Sequence, residues 1–243
     1  MKKLLAAAFF VSISILTYGQ EIKRDLKEFN RITVSPKINL ILEQGSKESI
    51  RLVYNRVEPD KINIEVKGKK LKIYLDDART IEKHEKTDYY NKQSIYRDVN
   101  ITAYVTYVNL SELEIRGEQE LTCLSPIRSE NFALRAYGEN DITLSHLKTA
   151  NLQVSLYGEN KLTIEDGKAQ YQKYRLFGEN KIDTRKLRSY STKTTSYGSS
   201  RIKLNTDDEL RVTAFGESKI SYSGPAQVSK GIVIGENQIN RED

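Results

Sequence analysis

Tryptophan is absent from the 243 residues, cysteine and methionine occur once each, and proline occurs four times. One cysteine, Cys123, excludes any intramolecular disulfide, so stability has to come from packing and hydrogen bonding. So few prolines exclude a collagen-like chain or a Pro-rich linker. Long apolar stretches are equally scarce. Only Leu4 to Leu16 forms one, and it falls short of the roughly 20 residues a membrane-spanning helix needs. What is present points to one globular domain or two small ones: 38% hydrophobic and 30% charged residues, with Tyr, Val, Ile, Thr and Lys recurring after the first ten positions. That set of residues favours strands over helices.

Lys2 and Lys3 precede the apolar stretch, and Thr17-Tyr18-Gly19 ends it with small residues at its first and third places. Residues 1–19 therefore read as a secretory signal peptide, with the mature chain starting at Gln20. No cysteine lies near the cleavage site to carry a lipid anchor. The expected location is the periplasm, the outer surface or the medium. Cys123, in Leu121-Thr122-Cys123-Leu124, reads as a small strand residue rather than a nucleophile.

The second half of the chain repeats. Glycines at Gly117, Gly138, Gly158, Gly178, Gly198, Gly216 and Gly235 are spaced 21, 20, 20, 20, 18 and 19 residues apart. Each sits in a pattern of the type Tyr157-Gly158-Glu159-Asn160-Lys161-Leu162. A period near 20 is too short for helical pairs or propeller blades, and the fixed leucine offsets of leucine-rich repeats are missing. A β-solenoid remains: all-β, about seven coils of roughly 20 residues over 111–243.

Alternation assigns faces. Counted from each glycine, positions such as Leu134, Ala136, Asn140, Ile142 and Leu144 fall on one face and are expected inside. The glycines mark bends with positive φ or no room for a Cβ. Asn140, Asn160, Asn180 and Asn237 are expected to form an amide ladder between coils. On the outside, Tyr137, Tyr157, Phe177, Tyr197 and Phe215 would stack. Beside them stand Glu139, Glu159 and Glu179 and the bases Lys161, Lys181 and Arg201, with each Glu expected in reach of a base. This face is either a self-neutralising solvated strip or a ligand-binding strip for a glycan or protein, unless the bend turns the aromatics inward as core.

Residues 20–110 lack the glycine repeat but alternate as strands over 29–34, 38–42, 50–54, 62–66, 71–75 and 99–108, with turns at Gly45-Ser46 and a hairpin at Lys67-Gly68-Lys69. Residues 76–98, charged and including Tyr89-Tyr90, read as an exposed loop. The N-terminal region is expected to cap and continue the same core. At the far end, Ser223-Gly224-Pro225 breaks the pattern, and the charged tail Asn240-Arg241-Glu242-Asp243 either blunts the edge or leaves it for a partner or second copy.

The whole layout, from about Phe29 to Ile239, resembles the head GIN domain family of auto-transporter adhesins found among secreted Bacteroidetes proteins. The resemblance is carried by Ile41-Leu42-Glu43-Gln44-Gly45, the hairpin Lys67-Gly68-Lys69-Lys70-Leu71-Lys72-Ile73, the stretch Leu110-Ser111-Glu112-Leu113-Glu114-Ile115 and the Gly-centred bends through Tyr222-Ser223-Gly224-Pro225-Ala226 and Ile234-Gly235-Glu236-Asn237. This chain differs in placing Tyr or Phe before, and Glu after, glycines where the family often has Ser-Gly-Ser. The resemblance implies a right-handed β-helix-like fold, an extracytoplasmic location and no catalytic residues.

Two functional classes follow. One is a non-catalytic, adhesin-like module of the secreted or cell-envelope compartment, binding polysaccharide or an envelope protein. The other is a polysaccharide-degrading lyase or hydrolase, which needs clustered acids; Asp183, Asp207, Asp208 and Arg201 could converge, although nothing in their spacing demands it. Metal and cofactor sites are not expected: His84 and His146 lie 62 residues apart with no cysteine partner, which leaves only weak calcium binding along the glutamates. Nucleic acid is disfavoured despite the net charge of +6, because Lys and Arg are interspersed with acids.

Overall fold

The computed structural model describes residues 20–82, 84–88 and 91–242. The expected signal peptide and the pair Tyr89-Tyr90 lie outside the described residues. The first half contains β1 (Gln20–Asp25), β2 (Arg31–Val34), β3 (Ile38–Gln44) and β4 (Ser49–Asn55), then a short 3-10 turn at Pro59–Lys61. It continues with β5 (Ile62–Lys67), β6 (Lys70–Leu75), β7 (His84–Asp88), β8 (Asn91–Ser94) and β9 (Asn100–Tyr107). The repeats follow as β10 (Glu112–Cys123), β11 (Ile127–Leu144), β12 (Leu147–Ile164), the long, bent β13 (Gly167–Ser223), β14 (Gln227–Ile234) and β15 (Asn237–Arg241).

These strands wind as a β-solenoid. Neighbouring coils are parallel and in register, Gly117 beside Gly138, Gly138 beside Gly158 and Gly158 beside Gly178. The seven repeat glycines all have φ between 94° and 119°, and they bound six turns. Side chains alternate on either side of the bend. In β11, Phe132, Leu134 and Ala136 are buried before it and Asn140, Ile142 and Leu144 after it. Tyr137, Gly138 and Glu139 between them all face outward, because the bend interrupts the two-residue period. Each Leu, Val or Ile so buried stabilises the fold by about 1.5–3 kcal/mol. The core is continuous from Phe29 to Ala226.

One layer of that core is polar. The fifth coil places Thr192, Thr194 and Ser196 inside, where the coil before it has Gln172, Tyr174 and Leu176. Small residues in one layer leave room for the large Tyr174 ring in the other. Its hydroxyl meets Thr184 Oγ1 at 3.1 Å and donates to Gln172. Ser189 and Thr192 hydroxyls pair at 2.9 Å, and Ser196 and Ser218 at 2.8 Å, whereas Thr194 Oγ1 and Ser200 Oγ have no partner.

Before the first glycine the winding goes on without one. β2 and β3 lie beside β10, pairing Val34 with Ile115 and Leu40 with Leu121, so Ser35-Pro36-Lys37 forms the bend beneath Gly117. β6 and β9 make the next layer, beside β2 and β3. The stack then ends in antiparallel strands: β5 on β6, β4 on β9 and β1 on β4. Lys67-Gly68-Lys69-Lys70 forms the expected hairpin, and positive φ at Gly68 and Lys69 matches a type I′ turn. Between β6 and β9, within the span 76–98 expected as an exposed loop, β7 and β8 form a separate antiparallel pair, while Ala78 is buried in the core and Tyr96 packs against it.

The opposite end is the open edge of β14 and β15. There Lys230 stands beside Val212 and Arg241 beside Tyr222, so charges occupy columns that are apolar one coil below. The register also slips between Val212 and Ala214. Inward charges and a bulge are both devices that discourage another strand from pairing with an edge.

Candidate functional site

The side chains that follow each glycine line a depression, and repetition turns it into a trough. At about 4.8 Å per coil, six spacings make it roughly 30 Å long. Its volume is about 1200 Å³. Gln119, Asn140, Asn160, Asn180, Ser200 and Ser218 form the floor, each nearly buried. One wall is the residue after glycine: Glu118, Glu139, Glu159, Glu179, Ser199, Glu217 and Glu236. The other wall begins acidic, with Glu120 and Asp141, and turns basic with Lys161, Lys181, Arg201 and Lys219.

The floor is held by amides passed from coil to coil. Asn140 Nδ2 donates to Asn160 Oδ1 at 2.8 Å, and Asn160 Nδ2 donates to Asn180 Oδ1 at 3.2 Å. Asn180 closes the run on the Phe177 carbonyl at 3.3 Å. Asn237 stands apart from this run and donates to the carbonyls of Gly216 and Ile234.

The walls do not neutralise each other as the shared-face reading expects. Among the described residues, no ion pair joins Glu139, Glu159 or Glu179 to Lys161, Lys181 or Arg201; Lys161 instead holds Asp141 at 2.7 Å, along its own wall. The two ladders flank the floor residues, and the pairing shown at Lys161 runs along its own wall and not across the floor.

Tyr137, Tyr157, Phe177, Tyr197 and Phe215 form the shoulder on the far side of the glycines. Successive ring centroids are 4.8–5.0 Å apart and tilted by 2–6°. Tyr157 and Tyr197 remain 36% and 41% exposed. The rings therefore do not turn into the core. Their faces, however, cover one another, and the Arg116 guanidinium lies 4.8 Å from the Tyr137 centroid at the first end. Between stacked neighbours, only ring edges are left to face solvent.

Two of the three acids named for an enzyme, Asp183 and Asp207, are occupied separately. Asp183 is held by Arg185 at 2.6 Å, and this bond keeps its carboxyl below the usual range. Asp207 is held by Arg188 at 2.8 Å. His146 meets Asp166 at 2.8 Å, and no group of three or more His, Cys, Asp and Glu able to hold a metal occurs among the described residues. Cys123 is buried, and burial pushes its thiol up, away from the thiolate a nucleophile requires.

These features define an all-β solenoid with a lengthwise, charged trough. Residues 28–226 match the family model described as "Putative auto-transporter adhesin, head GIN domain", and the chain belongs to that family. Solved structures share the fold. A putative adhesin from Bacteroides fragilis NCTC 9343 is 20% identical, with a TM-score of 0.71 over 92% of this chain and 97% of its own. One from Parabacteroides merdae ATCC 43184 is 16% identical, with a TM-score of 0.69 over 94% and 98%. A putative lipid binding protein from Parabacteroides distasonis ATCC 8503 is 17% identical, with a TM-score of 0.67 over 94% and 98%. No curated protein matches the chain. No helix among the described residues is long and apolar enough to cross a membrane.

Proposed function

We propose that this protein is a non-catalytic, adhesin-like binding module, exported by residues 1–19 to the cell envelope, and that its ligand lies lengthwise in the trough. The observation that carries this reading is the pair of wall ladders, acidic and basic, held apart on a rigid floor without pairing to each other. Preorganised charges of both signs suit an extended polymer with repeating polar groups, either a polysaccharide or an exposed strand of an envelope protein. The aromatic column serves as a stiff shoulder: its covered faces suit it poorly to stack on sugar rings, and its hydroxyl edges remain available. The separate pairing of Asp183 and Asp207 with arginines weighs against the lyase or hydrolase alternative.

A glycan array and capture from an envelope fraction test the site. Wild type should retain a ligand that a Lys161→Ala, Lys181→Ala, Arg201→Ala triple variant loses by at least about tenfold, since charge-assisted bonds are each worth about 1.5–3 kcal/mol. Equal binding by both proteins would place the ligand elsewhere. Incubation with acidic polysaccharides should release no new reducing ends or unsaturated products. Time-dependent release that survives repurification would overturn the non-catalytic reading.

A further inference from the structure

We propose that a second pocket, on the outer face of the first coils, binds a phosphate-type oxyanion through Thr33, Lys72 and Arg79. It lies on the opposite flank of the aromatic column from the trough and does not depend on the trough's ligand. Its volume is about 180 Å³, room for one tetrahedral anion and water.

The pocket follows from strand order. β2 runs between β6 and β10, so Thr33 has Lys72 on one side and Glu114 on the other. Four cations line the cavity, Lys70, Lys72, Arg79 and Arg116, against one carboxylate, Glu114. Two of the four are engaged: Lys70 with Glu112 at 2.9 Å, and Arg116 Nε with Glu114 at 2.7 Å. The second bond answers the only acid in the pocket.

Lys72 and Arg79 stand in no ion pair among the described residues. The Arg79 guanidinium lies 4.9 Å from the centroid of the Tyr74 ring, a contact that orients its plane and engages none of its hydrogen-bond donors. The backbone that carries it is pinned by Ser35 Oγ, which donates to the Arg79 carbonyl at 2.6 Å. On the floor, Thr33 Oγ1 is buried without a partner. A buried hydroxyl is almost always satisfied by protein, water or ligand. Here an unpartnered hydroxyl just beneath the surface, and an ammonium and an oriented guanidinium without an ion pair among the described residues, line one concavity, which is the chemistry that recognises a phosphoryl group. The group can come from a soluble phosphate monoester or from a lipid headgroup.

Titration of the isotope-labelled protein with sodium phosphate, against sodium chloride at matched ionic strength, tests the site by NMR. Saturable shifts are expected at the amides of Thr33, Lys72 and Arg79. A Lys72→Gln, Arg79→Gln variant should bind at least about tenfold more weakly, the loss expected for one charge-assisted bond. Thr33→Val should weaken binding with the Gly178 amide unmoved, which reports that the coils remain folded. Shifts that follow ionic strength alone, or unchanged phosphate binding by the double variant, overturn the proposal. Two further arms separate the sources. Displacement of phosphate by glycerol phosphate, without capture by phosphatidylcholine vesicles containing phosphatidate, assigns a soluble monoester. Vesicle capture that the double variant loses assigns a headgroup.

Discussion

Gly138 and Gly158 sit side by side in neighbouring coils, and a Cβ on Gly158 would lie 2.4 Å from the Gly138 carbonyl oxygen. Its φ of +106° is also closed to other residues. Gly158→Ala should therefore destabilise the fold by about 2–5 kcal/mol, combining backbone strain with overpacking. Gly68 supplies the control: its φ is +55°, but nothing lies within 4 Å of its Cβ position. Gly68→Ala should cost only about 1–2 kcal/mol. Urea unfolding of the two variants measures the difference, and equal losses would remove the close-approach argument.

Buried polar groups in the two halves of the repeat should respond in opposite directions. Asn160 accepts from Asn140 and donates to Asn180, so Asn160→Leu orphans both neighbours and should cost about 2–4 kcal/mol. Thr194 Oγ1 has no partner, and Thr194→Val keeps the shape while removing the orphan. That variant should gain about 1 kcal/mol. Thermal unfolding reads both signs, and a destabilised Thr194→Val would mean that its hydroxyl is bonded.

The last coil should keep the protein monomeric. Replacing its inward charges, Lys230→Val with Arg241→Leu, continues the apolar columns of Val212 and Tyr222 to the open edge. Sedimentation or light scattering should then show association through β14 and β15 that wild type lacks. A variant that stays monomeric would assign the blunting to the register slip alone.

Acid should loosen the junction between the first layers and the repeats. Burial pulls the Glu112 carboxyl upward, but bonds from Lys70 and Arg135 outweigh it and hold the group below its ordinary range. A depressed folded pKa means that the stabilisation is complete above the unfolded value, about 4.3, and is lost as pH falls through the folded one. Asp183, lowered by Arg185, acts with the same sign. Wild-type urea midpoints should fall as pH drops below about 5. Glu112→Gln should be less stable at neutral pH and flatter on the acid side, and parallel curves would exclude Glu112 as the source.

The coil was legible because one residue type, glycine, is demanded once per turn by both φ and contact. The Asn140 to Asn180 ladder followed from alternation alone. The bend at Pro36 carries no such signal: Gly117 faces proline rather than another glycine bend, so that coil escapes a count of glycines. Thr192, Thr194 and Ser196 look like surface residues in sequence, and only the large Tyr174 ring in the adjoining layer accounts for them inside. The trough stayed hidden for another reason. Alternation puts Glu159 and Lys161 on one face, but sharing a face does not decide whether two charges meet: Lys161 pairs with Asp141 of the neighbouring coil instead. The oxyanion pocket joins Thr33, Lys72 and Arg79 across strands that sequence order does not bring together.

Because each coil adds one residue to either wall and one to the floor, the trough is measured out in units of about 4.8 Å. Inserting a second copy of residues 147–166 would lengthen it by one unit and leave both ends unchanged. Reach is thus separable from chemistry: how far the site extends along a polymer is a matter of copy number, whereas what it grips is written afresh in every copy.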